Sequence, residues 1–310
     1  MRAIRIHRFG DPEVLELNDV PISQPGENEL LVRIHGASVN PIDYKIRRGA
    51  VPGITPDMLP LTLGRDLSGT IEAIGPGTNA FRQSDAVYAL IGGLDRGSYA
   101  DYVVLKPGEA APKPVHLSHI RAAAVPLAAL TAWQGLFDHG QLQAGQTVLI
   151  HGGSGGVGHF AIQVAKVRGA TVLTTVSARH IDFVHELGAD RAINYQSERF
   201  EEVARDVDLV LDLVAGETQE RSWSVLKRGG MLVSALGVPP QEKANQAGVR
   251  GVGYRAQPNP AQLVEIGRLI DEGRVRPVVS DAYPLAEARL AQQRLETGHV
   301  RGKIVLGVAE

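Results

Sequence analysis

The chain has no cysteine in 310 residues. Disulfides, a thiolate nucleophile and cysteine-liganded zinc are therefore excluded together. Long apolar runs are missing too: the longest, at residues 122–130, is about nine residues where ~20 span a bilayer. Neither charge sign dominates. Lys plus Arg number 32 and Asp plus Glu 34, a net charge of −2, so a polyanionic partner gains nothing from bulk electrostatics. The cations are mostly Arg and are scattered along the chain. Residues 1–6 alternate as a strand does and lack a signal peptide's apolar core. These absences predict a soluble cytoplasmic protein with no membrane or nucleic-acid partner. What is present, 44% hydrophobic residues with 35 Gly and 18 Pro, excludes disordered, collagen-like and coiled-coil chains. The length suits two domains.

The first third reads as β-rich. Short β-branched or alternating runs at 2–6, 29–39, 67–75, 85–90 and 99–105 are divided by Gly/Pro turns such as Gly75-Pro76-Gly77. Beyond residue 120, strands alternate with helices. Strands are predicted at 146–151, 171–176, 191–194, 208–213 and 231–236, and helices at 157–167, 180–187 and 217–227. That rhythm means βαβ units and a doubly wound parallel sheet. Helices at 260–272 and 285–297 and a strand at 303–308 close the chain. The predicted organisation is α/β. A dinucleotide-type domain at 123–259 is inserted between a β-rich part at 1–122 and a return segment at 260–310.

The most informative stretch is HGGSGGVG at 151–158, in which Gly153, Gly155 and Gly158 fit G-x-G-x-x-G. A buried strand precedes it. A helix follows with Val157, Phe160, Ala161, Val164 and Ala165 on one face. Glycine permits the tight turn and close approach to a pyrophosphate, and the helix start supplies unpaired N–H groups. A P-loop would need Lys-Ser/Thr after its last glycine, and here His159 follows Gly158. About twenty residues on, an acid would bind the ribose 2′-hydroxyl of NADH. This chain instead has Ser177, Arg179 and His180, with no acid before Asp182. Paired guanidinium donors suit a 2′-phosphate, which points to NADPH. A bare surface Arg at a helix start is the plain alternative.

The chain also carries ASVNPIDYKIRRG at 37–49, GRDLSGTI at 64–71, PLAALTAW at 126–133, LGAD at 187–190 with INY at 193–195, and GHVRGKIVL at 298–306. With the glycine loop, these blocks resemble the zinc-independent quinone oxidoreductases of the medium-chain dehydrogenase/reductase superfamily, the zeta-crystallin-like group. The resemblance implies a GroES-like domain, a Rossmann domain, NADPH, a cleft between the domains and a homodimer. It places Asn40 beside the nicotinamide ribose and Thr131 at the nicotinamide end. Gly153, Ser154, Gly155, Gly156, Val157 and Gly158 would hold the pyrophosphate. Ser177, Arg179, His180 and Tyr195 would surround the 2′-phosphate, and Lys303 would approach the cofactor from the return segment. Packing or surface roles for Thr131, Tyr195 and Lys303 are the plain alternatives.

Zinc-dependent relatives place Cys at or near Asn40 and read Gly-His-Glu where this chain has Gly64-Arg65-Asp66, so no metal site is expected. His116 and His119 lack the partners that would make them ligands. Some quinone oxidoreductases carry Tyr one place after the position of Tyr44. Here Tyr44-Lys45 stands instead, leaving Tyr44 or Lys45 as the catalytic proton donor or anion stabiliser. Without a Lewis acid the acceptor should already be electron-poor, a quinone or an α,β-unsaturated carbonyl. Tyr102 and Lys106 match the Tyr-x-x-x-Lys of short-chain dehydrogenases, but on an apparent strand upstream of the glycine loop, where that chemistry cannot use them. A non-catalytic NADPH-binding sensor or crystallin-like protein is the rival reading. The apolar strand at 231–236 is followed by 249–254, a sheet edge expected to suit dimer pairing. Residues 238–259 match no rule.

Overall fold

The computed structural model describes residues 1–308. They form two compact units, one of residues 1–127, 257–273 and 277–308, the other of 128–256 and 274–276. Residues 123–127 and 257–259 thus stand with the β-rich unit. One reason is packing of the helix at His119–Ala123 against the strand at Leu30–Val39. Arg276 joins the other unit because Gln163 holds its N–H at 2.8 Å and its carbonyl at 3.1 Å.

The first unit runs β1 (Arg2–Ile6), β2 (Leu15–Asp19), β3 (Leu30–Val39), α1 (Pro41–Arg47), β4 (Leu61–Thr62), β5 (Asp66–Ile74), β6 (Ala86–Leu90), β7 (Tyr102–Leu105), β8 (Ala110–Pro112) and α2 (His119–Ala123). Helix α3 (Pro126–Trp133) carries the chain into the second unit. There follow β9 (Thr147–His151), α4 (Gly158–Val167), β10 (Thr171–Val176), α5 (Ile181–Glu186), β11 (Arg191–Asn194), α6 (Phe200–Val203), β12 (Val207–Asp212), α7 (Gly216–Ser222), β13 (Leu226–Ser234), α8 (Gln241–Ala247) and β14 (Arg250–Gly253). The return segment holds α9 (Pro260–Asp271), β15 (Val279–Pro284), α10 (Ala288–Glu296) and β16 (Lys303–Gly307).

In the first unit, β2-β1-β4 form a small antiparallel sheet. A larger sheet runs β15-β16-β3-β5-β6-β8, with β7 also paired to β3. Strand β3 has three partners and is buried along nearly its whole length, so Leu30, Val32, Ile34 and Val39 form the spine of that unit's core. The second unit is a six-stranded parallel sheet in the order β11-β10-β9-β12-β13-β14, the doubly wound dinucleotide order. Its β9 carries buried Val148, Leu149 and Ile150, as a strand covered on both faces should.

The α/β fold class, with a GroES-like part and a parallel-sheet part, is as the sequence predicts. The helix predicted at 217–227 is shorter. Helix α7 ends at Ser222, one tight turn reaches Val225, and Leu226 already pairs with Val207 in the sheet. Sheet pairing overrides local helical preference there. Among the described residues no helix is long and apolar enough to cross a membrane.

Candidate active site

In the second unit, β9 ends at buried His151 and the chain turns through Gly152, whose φ of +76° favours glycine. The motif glycines divide by role. A Cβ on Gly158 would strike the carbonyl of Gly152, and one on Gly153 would strike Thr174, so these two allow the loop to pack on helix and strand. A Cβ on Gly155 would meet only the Gly152 carbonyl at 3.3 Å. Ser154, Gly155, Gly156 and Val157 are partly exposed just before α4. That open backbone beside a ten-residue helix start fits a pyrophosphate.

Beside it, β10 and β11 run parallel with Val176 opposite Asn194. The N–H of Tyr195 donates to the Val176 carbonyl at 3.1 Å, which sets half-exposed Tyr195 next to Ser177. Ser177 and His180 are buried and face each other at 3.5 Å. Arg179 is exposed, and among the described residues it has no hydrogen-bond or ion-pair partner. A free guanidinium, a hydroxyl and a phenol at one corner fit a phosphate. Asp182 lies beyond, exposed on α5.

Buried polar groups that no local motif marks surround this loop. Asp212, at the end of β12, accepts from the N–H groups of Val214 (3.0 Å) and Ala215 (2.8 Å), from Gln219 (2.7 Å) and from Ser234 (2.9 Å). His151 bridges Thr175 and Ser222 at 3.1 and 2.9 Å, and burial pushes it down to about 4, so it is neutral at physiological pH. Thr131 lies on α3, 8% exposed, and its carbonyl accepts from buried Tyr254 at 2.6 Å.

The first unit gathers a different cluster. The register that sets Ser38 opposite Asp66 and Val39 opposite Ile304 brings together the end of β3 and the starts of β5 and β16. Asn40, at the start of α1, donates through Nδ2 to Asp66 at 3.0 Å and to Ser38 at 3.2 Å, and its Oδ1 accepts from Lys303. Asp66 also accepts from Ser38 and from the N–H of Leu127. Burial pushes the Asp66 carboxyl up against the pull of Lys303, and pushes the Lys303 ammonium down against the pull of Asp66. Below them Asp43 accepts from the N–H of Asn40 (2.8 Å) and from Tyr99 (2.9 Å), and burial pushes it up to about 7. Fully buried Arg47 ties α1 to Gln292 and Glu296 on α10.

The structure thus joins Asn40 directly to Lys303 and Ser177 to His180, while Tyr195 is joined through its N–H to Val176, the residue before Ser177. The side chains of Tyr44 and Lys45 are not joined to the Asn40 cluster by any hydrogen bond among the described residues. Tyr44 is half-buried with Arg48 5.6 Å from its ring, and burial, with Glu296 nearby, pushes its phenol up. Lys45 is exposed. Tyr102 lies on β7, so its spacing to Lys106 is coincidental. His119 opens α2, stacked 4.5 Å from His35 and bonded to Ser68, and burial pushes it down to about 4.

Two family patterns match this chain, the alcohol dehydrogenase GroES-like domain over residues 26–115 and the zinc-binding dehydrogenase over 187–306. The residues here do not fit zinc. Arg65 and Lys303 are cations, the Asp66 oxygens are taken by hydrogen bonds, and no group of three metal-ligating side chains exists among the described residues. Among curated relatives, the NAD(P)H oxidoreductase RTN4IP1, mitochondrial, of Danio rerio is 35% identical over all of this chain and 92% of its own length. The 2-methylene-furan-3-one reductase of Solanum lycopersicum is 34% identical over 99% of this chain and 79% of its own. Of solved structures, the quinone oxidoreductase of Coxiella burnetii is similar with a TM-score of 0.93 and 40% identity, covering 100% of this chain and 99% of that one. The Escherichia coli quinone oxidoreductase complexed with NADPH has a TM-score of 0.89 and 29% identity, covering 99% and 100%.

Proposed function

Because the chain belongs to the medium-chain dehydrogenase/reductase superfamily and is quinone-oxidoreductase-like, we propose that it is an NADPH-dependent, zinc-independent reductase of quinones or α,β-unsaturated carbonyls. The observation that carries the cofactor choice is the corner at the ends of β10 and β11, where unpartnered Arg179 stands with Ser177 and Tyr195 and no acid. The bound cofactor supplies hydride. The rest is the work of the chain. Ser154 to Val157 hold the pyrophosphate, and Arg179 with Ser177, His180 and Tyr195 holds the 2′-phosphate. Thr131 flanks the nicotinamide end.

In the first unit, Asn40 meets the nicotinamide ribose. Arg65 stands where zinc-dependent relatives read His, and Asn40 at or near the place of their Cys. No Lewis acid then polarises the substrate, so the acceptor must be electron-poor at the outset. Reduction leaves an oxyanion that needs a proton, and Tyr44 or Lys45 supplies it. The proposal includes a cytoplasmic location. It also includes a homodimer formed at β14, the last strand of the parallel sheet, whose outer edge is free to pair.

The test is NADPH oxidation against a small quinone and a small enal. Turnover of either panel supports the reading. Tight NADPH binding with no turnover on both would favour a sensor or crystallin-like protein, and preference for NADH would refute the cofactor assignment.

A further inference from the structure

Lys303 is 4% exposed, and its ammonium is turned inward. It donates to Asn40 Oδ1 and to the Val39 carbonyl at 3.3 Å, and the carboxylates whose charge acts on it are Asp66, the stronger, and Asp43. Asp66 takes Asn40 Nδ2 at 3.0 Å on Oδ2, the oxygen that also accepts from Ser38, while its Oδ1 accepts from the N–H of Leu127 at 2.6 Å. The Asn40 amide therefore lies between a cation and an anion. Its acceptor end meets the ammonium and its donor end meets the carboxylate. A flip of the amide would set NH₂ against ammonium and oxygen against carboxylate, exchanging two attractive contacts for two repulsive ones. The Nδ2 protons are both engaged within the protein, one by Asp66 and one by Ser38. The Oδ1 atom keeps a second lone pair.

We infer that Lys303 is a positioning residue rather than a cofactor ligand: with Asp66 it locks the Asn40 amide so that Asn40 can meet a ribose hydroxyl only as an acceptor, through Oδ1. This rests on the proposed reading for the identity of the ribose, but the lock itself belongs to the cofactor-free chain. It also explains why a flexible, strongly hydrated side chain is buried here. An Asn between two neutral groups could adopt either amide orientation.

The experiment uses the full chain with Lys303→Met, Asn40→Ala, the double variant Asn40→Ala/Lys303→Met, and Asp66→Asn/Lys303→Met, which leaves neither charge buried. In the cofactor-free protein, the side-chain amide protons of Asn40 are followed by NMR. They should be exchange-protected in the wild type, and should shift and lose protection in Lys303→Met and in the charge-free pair. The charge-free pair keeps the test available if Lys303→Met alone fails to fold. With NADPH and a quinone, Lys303→Met should lower kcat/KM for NADPH by roughly tenfold, the size of one hydrogen bond, and no further than Asn40→Ala does. Asn40→Ala/Lys303→Met should be no slower than Asn40→Ala, because Lys303 acts only through Asn40. Unmoved Asn40 amide signals, additive losses in the double variant, or a loss of NADPH affinity from Lys303→Met that persists in the Asn40→Ala background would each overturn the inference. If the wild type turns over neither acceptor class, the proposed function fails and the amide measurement still decides this point.

Discussion

The glycine corner of the second unit and the Asn40 cluster of the first are built in opposite ways. The corner comes from segments within about forty residues of one another, its loop is largely backbone and partly exposed, and it has one unpartnered charge, Arg179. The cluster is assembled from side chains as far apart as Asn40 and Lys303, 263 positions, and it is buried, with Asp43, Asp66 and Lys303 packed together. A free surface charge contributes little to the fold and much to a charged ligand. Buried charges do the reverse. Each is costly to desolvate, and removing one strands the other.

The largest expected effect follows from that asymmetry. Asp66→Ala leaves the Lys303 ammonium buried without its carboxylate, and stability should fall by about 3–5 kcal/mol. Asp66→Asn/Lys303→Met should cost much less, because no charge is left alone. Denaturant unfolding reads both, and a single variant no worse than the pair would mean the cluster is not charge-coupled.

Next comes pH, where the buried acid and the buried histidines differ in sign. Asp43 keeps its proton in the folded chain up to about 7, against an ordinary 3.8. The folded state thus binds the extra proton, and this contribution to stability is present below about pH 4 and lost as pH rises through 7. His151 in the second unit is about 4 when folded against 6.5. Its contribution is present above 6.5 and lost as pH falls through 4, and His119 acts the same way. Asp43→Asn should remove the loss on the rising side, a few kcal/mol at roughly 1.4 per pKa unit. An unchanged slope of unfolding free energy between pH 4 and 7 would show that Asp43 is not the group responsible.

The two regions were not equally legible. Gly153 to Gly158 can be read because strand, turn and helix start follow one another along the chain, and Arg179 because its place is a fixed distance on. The positive φ of Gly152, one residue ahead of the motif, needed the backbone. Asp66, Asp43 and Asp212 carry no local signature, since an isolated acid looks the same on a surface. Only the pairing of Ser38 with Asp66 and of Val39 with Ile304 shows what they touch. Lys303 could be placed near the cofactor only by resemblance, and its inward turn depends on burial that no periodicity encodes.

At the open corner the effect should fall on the ligand alone. Arg179 has no partner to lose, so Arg179→Ala should leave the unfolding free energy unchanged. It should weaken NADPH by ten- to hundredfold, about 1.5–3 kcal/mol for hydrogen bonds to a charged group, with NADH nearly unaffected. Michaelis constants for both cofactors with one quinone settle it. Equal losses on both would place Arg179 away from the 2′-phosphate.

The smallest effect lies where the two styles of construction meet. Ala215, just after β12, has φ +64° and ψ −163°, a conformation that glycine adopts freely and alanine rarely. Buried Asp212 holds it there by accepting its N–H at 2.8 Å and that of Val214 at 3.0 Å. Val214 in turn lies 3.5 Å from where a Cβ on Gly152 would stand, so this turn adjoins the open loop. A side-chain carboxylate thus imposes strain on a backbone that borders the glycine loop. Such strain is worth about 1–3 kcal/mol, and glycine's extra freedom in the unfolded chain offsets roughly 0.5–1 of it. Ala215→Gly should therefore stabilise the protein by about 1 kcal/mol and leave NADPH affinity within twofold. Denaturant midpoints at constant m-value measure the first and a binding titration the second. A neutral or lower midpoint would mean that Ala215 is unstrained and that the turn is set by the glycine loop itself rather than by Asp212.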